Sequence, residues 1–137
     1  MPANRYQDLR AWQRAIDLVE RVYAITAKLP HEEMFGLRSQ MRRCAVSVPS
    51  NIAEGQGRAT RGEFQQFLGH ARGSLYELET QVVVAARLGY VEQLDRDHLL
   101  AEARELGRML NALIASLKPP ASRRQLTTDN RQLTTDN

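Results

Sequence analysis

The sequence predicts an all-α fold, an antiparallel up-down-up-down four-helix bundle with a disordered C-terminal tail. Three observations predict it. Four segments repeat apolar residues every three or four positions, the spacing of one buried helix face. Aromatic residues are only 6% of the chain, and no run alternates as a half-buried strand would. The breaks between the segments are short and carry helix-stop residues, which forces neighbouring helices to run antiparallel.

The first segment places Leu9, Trp12, Ile16, Val19 and Tyr23 on one stripe, with Trp12 and Tyr23 as core aromatics. Pro30 ends it, because the residue before a proline is pushed out of the α region. The second stripe is Leu37, Met41, Cys44, Val48 and Ile52. Pro49 lies inside it, removing a backbone donor and crowding the turn near Ala45. The apolar period continues past Pro49, so the segment reads as one helix with a kink, in which Ser47 and Ser50 satisfy the freed groups. Gly55 and Gly57 weaken its end.

Thr60 is the expected N-cap of the third helix, with Glu63 completing a capping box. Its stripe is Phe64, Phe67, Ala71, Leu75, Leu78, Val82 and Ala85, and Gly89 closes it from the C′ position. The fourth stripe is Leu99, Ala103, Leu106, Leu110, Leu113 and Leu117, stopped by Pro119 and Pro120. Tyr76, Val83 and Tyr90 fall off the main stripes and offer a second contact surface. The bundle is expected over 1–118 and the tail over 119–137. In the tail RQLTTDN occurs twice in succession, polar and without a helical face, and disorder is the expected state.

The 137 residues, 42% hydrophobic and 26% charged, suit one folded domain. No stretch is apolar enough to span a bilayer, and Met1 to Arg10 holds no signal-peptide core, so a cytoplasmic protein is expected. Cys44 is the single cysteine, which accords with a reducing compartment. Net charge is +3, unevenly spread. Residues 34–76 hold six basic and two acidic groups, net +4, against 0 for residues 1–33 and −1 for residues 77–137. All six are arginines: Arg38, Arg42, Arg43, Arg58, Arg61 and Arg72. The planar guanidinium suits bidentate contact with phosphate.

Little in the sequence points to catalysis. His31, His70 and His98 lack metal-ligand spacing, and Asp95 with His98 is a single carboxylate–histidine pair where a di-iron bundle needs two. Cys44 falls on an apolar face, the setting of a structural thiol and not of a nucleophile. Ser47, Ser50 and Ser74 carry no nucleophile-elbow signature. Gly55-Gln56-Gly57 lacks the Gly-Lys-Ser/Thr of a phosphate loop. Glu77 and Glu79 point in different directions on a helix. No catalytic residue, metal or cofactor is expected.

One stretch is more specific. Residues 34–55 read MFGLRSQMRRCAVSVPSNIAEG and residues 58–81 read RATRGEFQQFLGHARGSLYELETQ. The run Ser47-Val48-Pro49-Ser50-Asn51-Ile52-Ala53-Glu54-Gly55, together with Gly36 to Gln40, Gly73 to Gln81 and Gly107 to Asn111, resembles the four-helix bundle family named for intervening sequences in large-subunit ribosomal RNA genes. That family includes the accessory variability determinants of diversity-generating retroelements. The resemblance covers about residues 6–118. It implies a bundle that assembles as a barrel-like homopentamer and has no enzymatic activity. For the retroelement branch it also implies a basic surface for RNA or DNA and a reverse transcriptase partner.

Two functions stay open at this point. One is an oligomeric accessory protein that binds nucleic acid through the six arginines without reading sequence. The other is a protein-interaction scaffold whose arginines are solvated. Ser47, Pro49, Asn51, Glu54 and Gly55 form a structural motif that shapes the bundle, with Asn51 and Glu54 bonding across it or between subunits.

Overall fold

The computed structural model describes residues 5–117, all helical or turn, with no strand among them. Helices α1 (Arg10–Thr26), α2 (Leu37–Gln56), α3 (Arg61–Arg87) and α4 (Gln93–Ser116) are joined by short connections. Two single 3-10 turns, Tyr6–Asp8 and His31–Glu33, precede α1 and α2. The tail at 119–137, with Pro119 and Pro120, lies outside the described residues. No described helix is long and apolar enough to cross a membrane.

Each helix packs on its neighbour in sequence, and α4 returns to pack on α1. The cross-helix pairs rise along one helix as they descend the other. Thr26 and Leu29 meet Arg42 and Arg38, Ser47 meets Ser74, and Gln65 and Arg72 meet Ile114 and Asn111. Arg21 and Lys28 form ion pairs with Glu102 and Asp95, closing the ring between α1 and α4.

The core stripes of α2 and α4 match the periodicity except at their ends, where Leu37, Leu113 and Leu117 are only half-buried. Met41, Cys44, Val48 and Ile52 are buried, as are Leu99, Ala103, Leu106 and Leu110. In α3, Ala71, Leu75, Leu78, Val82 and Ala85 are buried as expected; Phe64 and Phe67 are only half-buried, and Leu68 takes the inner position. In α1 the buried line is instead Ala11, Ala15, Leu18, Val22 and Ile25, one position round from the expected stripe. Trp12 is half-buried and edge-on to the Tyr6 ring at 5.3 Å, and Tyr23 is exposed. Apolar residues cover two adjacent lines of α1. The small Ala11 and Ala15 take the inner line, and the larger Trp12 and Ile16 flank it.

The ends follow local chemistry. Thr60 Oγ1 accepts a hydrogen bond from Glu63 N–H at 3.1 Å, opening α3. At its other end Gly89 has φ +82°, with Gly89 N–H on Ala86 O and Tyr90 N–H on Ala85 O, a Schellman closure. That closure turns Tyr90 against the core, so it is not spare surface.

Helix α2 continues through Pro49. Ser50 donates to Val46 O, one carbonyl beyond that of Ala45, and Ser47 reaches across to Ser74 Oγ at 2.8 Å, so neither fills the role expected beside Pro49. Asn51 donates to Ser47 O and Oγ within α2. Glu54 bonds locally with Arg58 at 2.9 Å. Of the motif, then, only Ser47 is hydrogen-bonded across the bundle. Gly55 is a packing residue: a β-carbon there would lie 2.7 Å from Phe67 Cβ.

Candidate nucleic-acid interface

The six arginines are divided among three places. Arg38 lies at the start of α2 and Arg58 just past its end, about 30 Å apart at the helical rise. Arg58 pairs with Glu54 and covers the Phe67 ring at 4.7 Å, and Arg61 is exposed beside it at the start of α3. Arg72 bonds Asn111 Oδ1 at 2.8 Å, tying α3 to α4. None of these three lines the groove that holds the other three, Arg38, Arg42 and Arg43.

Arg38, Arg42 and Arg43 do come together, in a groove of about 560 Å³ between the end of α1 and the start of α2. Tyr23, Met34, Phe35, Ser39 and Val46 complete its lining, and no carboxylate is among them. Arg38 Nη2 donates to Leu29 O at 2.7 Å. Arg42 donates from Nε to Thr26 Oγ1 at 2.8 Å and from Nη2 to Tyr23 O at 3.2 Å, with its guanidinium 4.4 Å over the Tyr23 ring. Both arginines thereby serve oxygens at or just past the C-terminal end of α1, where cations are favoured. Neither Nη1 takes part in these bonds, and the buried Arg38 Nε has no partner among the described residues. Arg43 is exposed and makes no hydrogen bond or ion pair among them.

Sequence reasoning missed Phe35. It is 91% exposed, the extreme among the large apolar side chains described, with Met34 and Val46 exposed near it. A built turn presents it. Met34 N–H bonds His31 O, and Gly36 N–H bonds Glu33 O. Glu33 Oε1 accepts from Leu37 N–H at 3.0 Å, capping α2. A β-carbon at Gly36 would lie 2.6 Å from that carboxylate oxygen, so the Glu33 side chain would have to shift to admit it. The only signal in the sequence is a phenylalanine beside a glycine, just ahead of a helix that begins with arginines.

Elsewhere the chemistry is structural. Cys44 is buried, and its thiol is pushed up to about 11, first by burial and then by a hydrogen bond with Glu77. Burial also raises Glu79, against the opposing pull of Arg104. Among the described residues no group of three or more His, Cys, Asp or Glu could hold a metal ion.

A family model described as 23S rRNA-intervening sequence protein matches residues 7–112. A solved structure from Bacteroides thetaiotaomicron, a protein with unknown function from the S23 ribosomal protein family, has a similar fold. Its TM-score is 0.71 at 20% identity, over 77% of this chain and 95% of that one. No curated protein matches the chain.

Proposed function

The chain belongs to the 23S rRNA-intervening sequence protein family, and from that premise we propose that it is a non-enzymatic accessory protein that binds RNA or DNA without reading sequence. The observation that carries this reading is the groove itself: three arginines gathered with no carboxylate among its lining residues. Such a surface attracts a polyanion, and most of its affinity comes from counterion release.

Of the six arginines expected to contact phosphate, the groove favours Arg38, Arg42 and Arg43. Arg58 is engaged with Glu54, and Arg72 with Asn111. Arg61 is the remaining exposed charge and serves as a secondary contact.

Self-assembly belongs to the same proposal, with a homopentamer as the expected form. Tyr76, Val84 and Leu88 are exposed apolar residues of α3 and its C-cap, an area that a second copy would cover. Several copies would multiply a groove that is weakly charged in one chain and gain avidity. A reverse transcriptase partner would be a further interaction of the assembled form.

The test is binding of purified protein to a random structured RNA and a random duplex DNA across a salt series. Micromolar affinity that falls steeply with salt supports the reading. No binding at about 50 mM salt overturns it, and leaves the protein-interaction scaffold, with Met34, Phe35 and Val46 as its apolar contacts.

A further inference from the structure

We infer that the groove between α1 and α2 is built for single-stranded nucleic acid, with a base stacked on Phe35 and the flanking phosphates held by Arg42 and Arg43. The inference rests on the nucleic-acid reading above and adds the strandedness of the ligand and a residue that charge alone would not select.

Phosphate binding needs no aromatic residue. A duplex offers its phosphates to any basic surface, but its base faces stay stacked inside the helix. A phenylalanine 91% exposed on a capped turn beside three arginines gains nothing from such a ligand. A single strand is different, because its bases can splay out and every base has a π face. Grooves for single strands combine backbone-tracking cations with aromatic platforms for that reason. Phe35 supplies an uncovered ring, whereas the Tyr23 ring already carries the Arg42 guanidinium.

The arginines are also held in advance. Arg38 and Arg42 are tethered to oxygens of Leu29, Thr26 and Tyr23, so their guanidinium planes are placed before a ligand arrives. Less side-chain entropy is then lost on binding. An acidic peptide would satisfy the charges and could touch Phe35. Its carboxylates would match the guanidinium fork as phosphates do, but it offers no succession of base faces to stack there.

The experiment uses the full chain and three probes of equal length in phosphates: a single-stranded oligonucleotide of mixed sequence, an abasic strand with the same backbone, and a duplex. Phe35→Ala is compared with wild type, Phe35→Trp and Arg43→Ala, with circular dichroism as the check on folding. The expected result is that Phe35→Ala weakens single-strand binding by roughly 5- to 150-fold, the range for one stacked base. Its salt slope and its affinity for the abasic strand should stay at wild-type values, and Phe35→Trp should restore binding. Single-strand affinity equal to abasic-strand affinity, or unchanged by Phe35→Ala, overturns the inference while the phosphate-binding reading stands. Loss of salt-dependent binding to every probe in wild-type protein overturns both. A shift of Phe35→Ala to a smaller sedimenting species, with single-strand affinity unchanged, assigns Phe35 to a contact between copies and overturns the inference.

Discussion

Arg42 and Tyr23 are joined twice, by a 3.2 Å hydrogen bond from the guanidinium to the Tyr23 carbonyl and by the stacking of the same guanidinium 4.4 Å over the Tyr23 ring. One arginine thus closes the end of α1 and lines the groove. Its substitution mixes two effects. Arg42→Ala should lower stability by about 1–2 kcal/mol, because oxygens at the end of α1 lose a charged donor. Arg43→Ala should leave the unfolding free energy within about 0.5 kcal/mol of wild type, as for an exposed position outside the packing. Chemical denaturation of the two variants checks this and decides which one is fit for binding work.

Gly55 is held to a glycine by Phe67. The β-carbon of Gly55→Ala would lie 2.7 Å from Phe67 Cβ and about as close to Phe64, so α2 and α3 must move apart. A loss of about 1–3 kcal/mol is expected. Gly62, where an added β-carbon meets nothing within 4 Å, is the control. Gly62→Ala should be neutral or slightly stabilising in the same urea titration.

Ser47 and Ser74 form a hydrogen bond between half-buried hydroxyls, 2.8 Å apart. Removing Ser47 takes this partner from Ser74, whereas removing Ser74 leaves Ser47 still bonded to Asn51 Nδ2. Ser47→Ala and Ser74→Ala should each cost about 1 kcal/mol, and the double variant less than their sum. Additive losses in a double-mutant cycle would show that the pair does not couple α2 to α3.

Cys44 should resist thiol reagents while the protein is folded. With its pKa pushed to about 11, first by burial, the thiolate is roughly a thousandth of the population at pH 8. Alkylation should be slow at pH 8 and rapid once urea unfolds the chain. The folded pKa lies above the ordinary value of 9.0, so the thiol's contribution to stability is full below about 9. It is lost as pH rises from there through about 11. Fast alkylation of native protein at pH 8 would contradict this placement.

The helices were legible because their faces are periodic, and the capping residues because their chemistry is local. Thr60 and Gly89 sit where the sequence placed them, while the Glu63 carboxylate accepts from the Thr60 hydroxyl in place of the backbone N–H of a capping box. The α1 stripe was not resolved, since two adjacent lines of that helix are apolar and only the neighbouring helices decide which one is inner. The packing role of Gly55 depends on Phe67, which arrives from another helix. The arginines were visible as a charge excess. Their division into three places depends on which carbonyls and side chains the fold brings within reach. Phe35 belongs to a short connection with no period, and its exposure is a tertiary property.

The most direct test of the central claim is the slope of log affinity against log salt for a single-stranded oligonucleotide, measured for wild type and Arg43→Ala. A phosphate contact through Arg43 predicts steep salt dependence in wild type and a slope shallower by about 0.7 in the variant, with the fold intact. Equal slopes and equal affinities would contradict the claim and take the groove out of nucleic-acid binding.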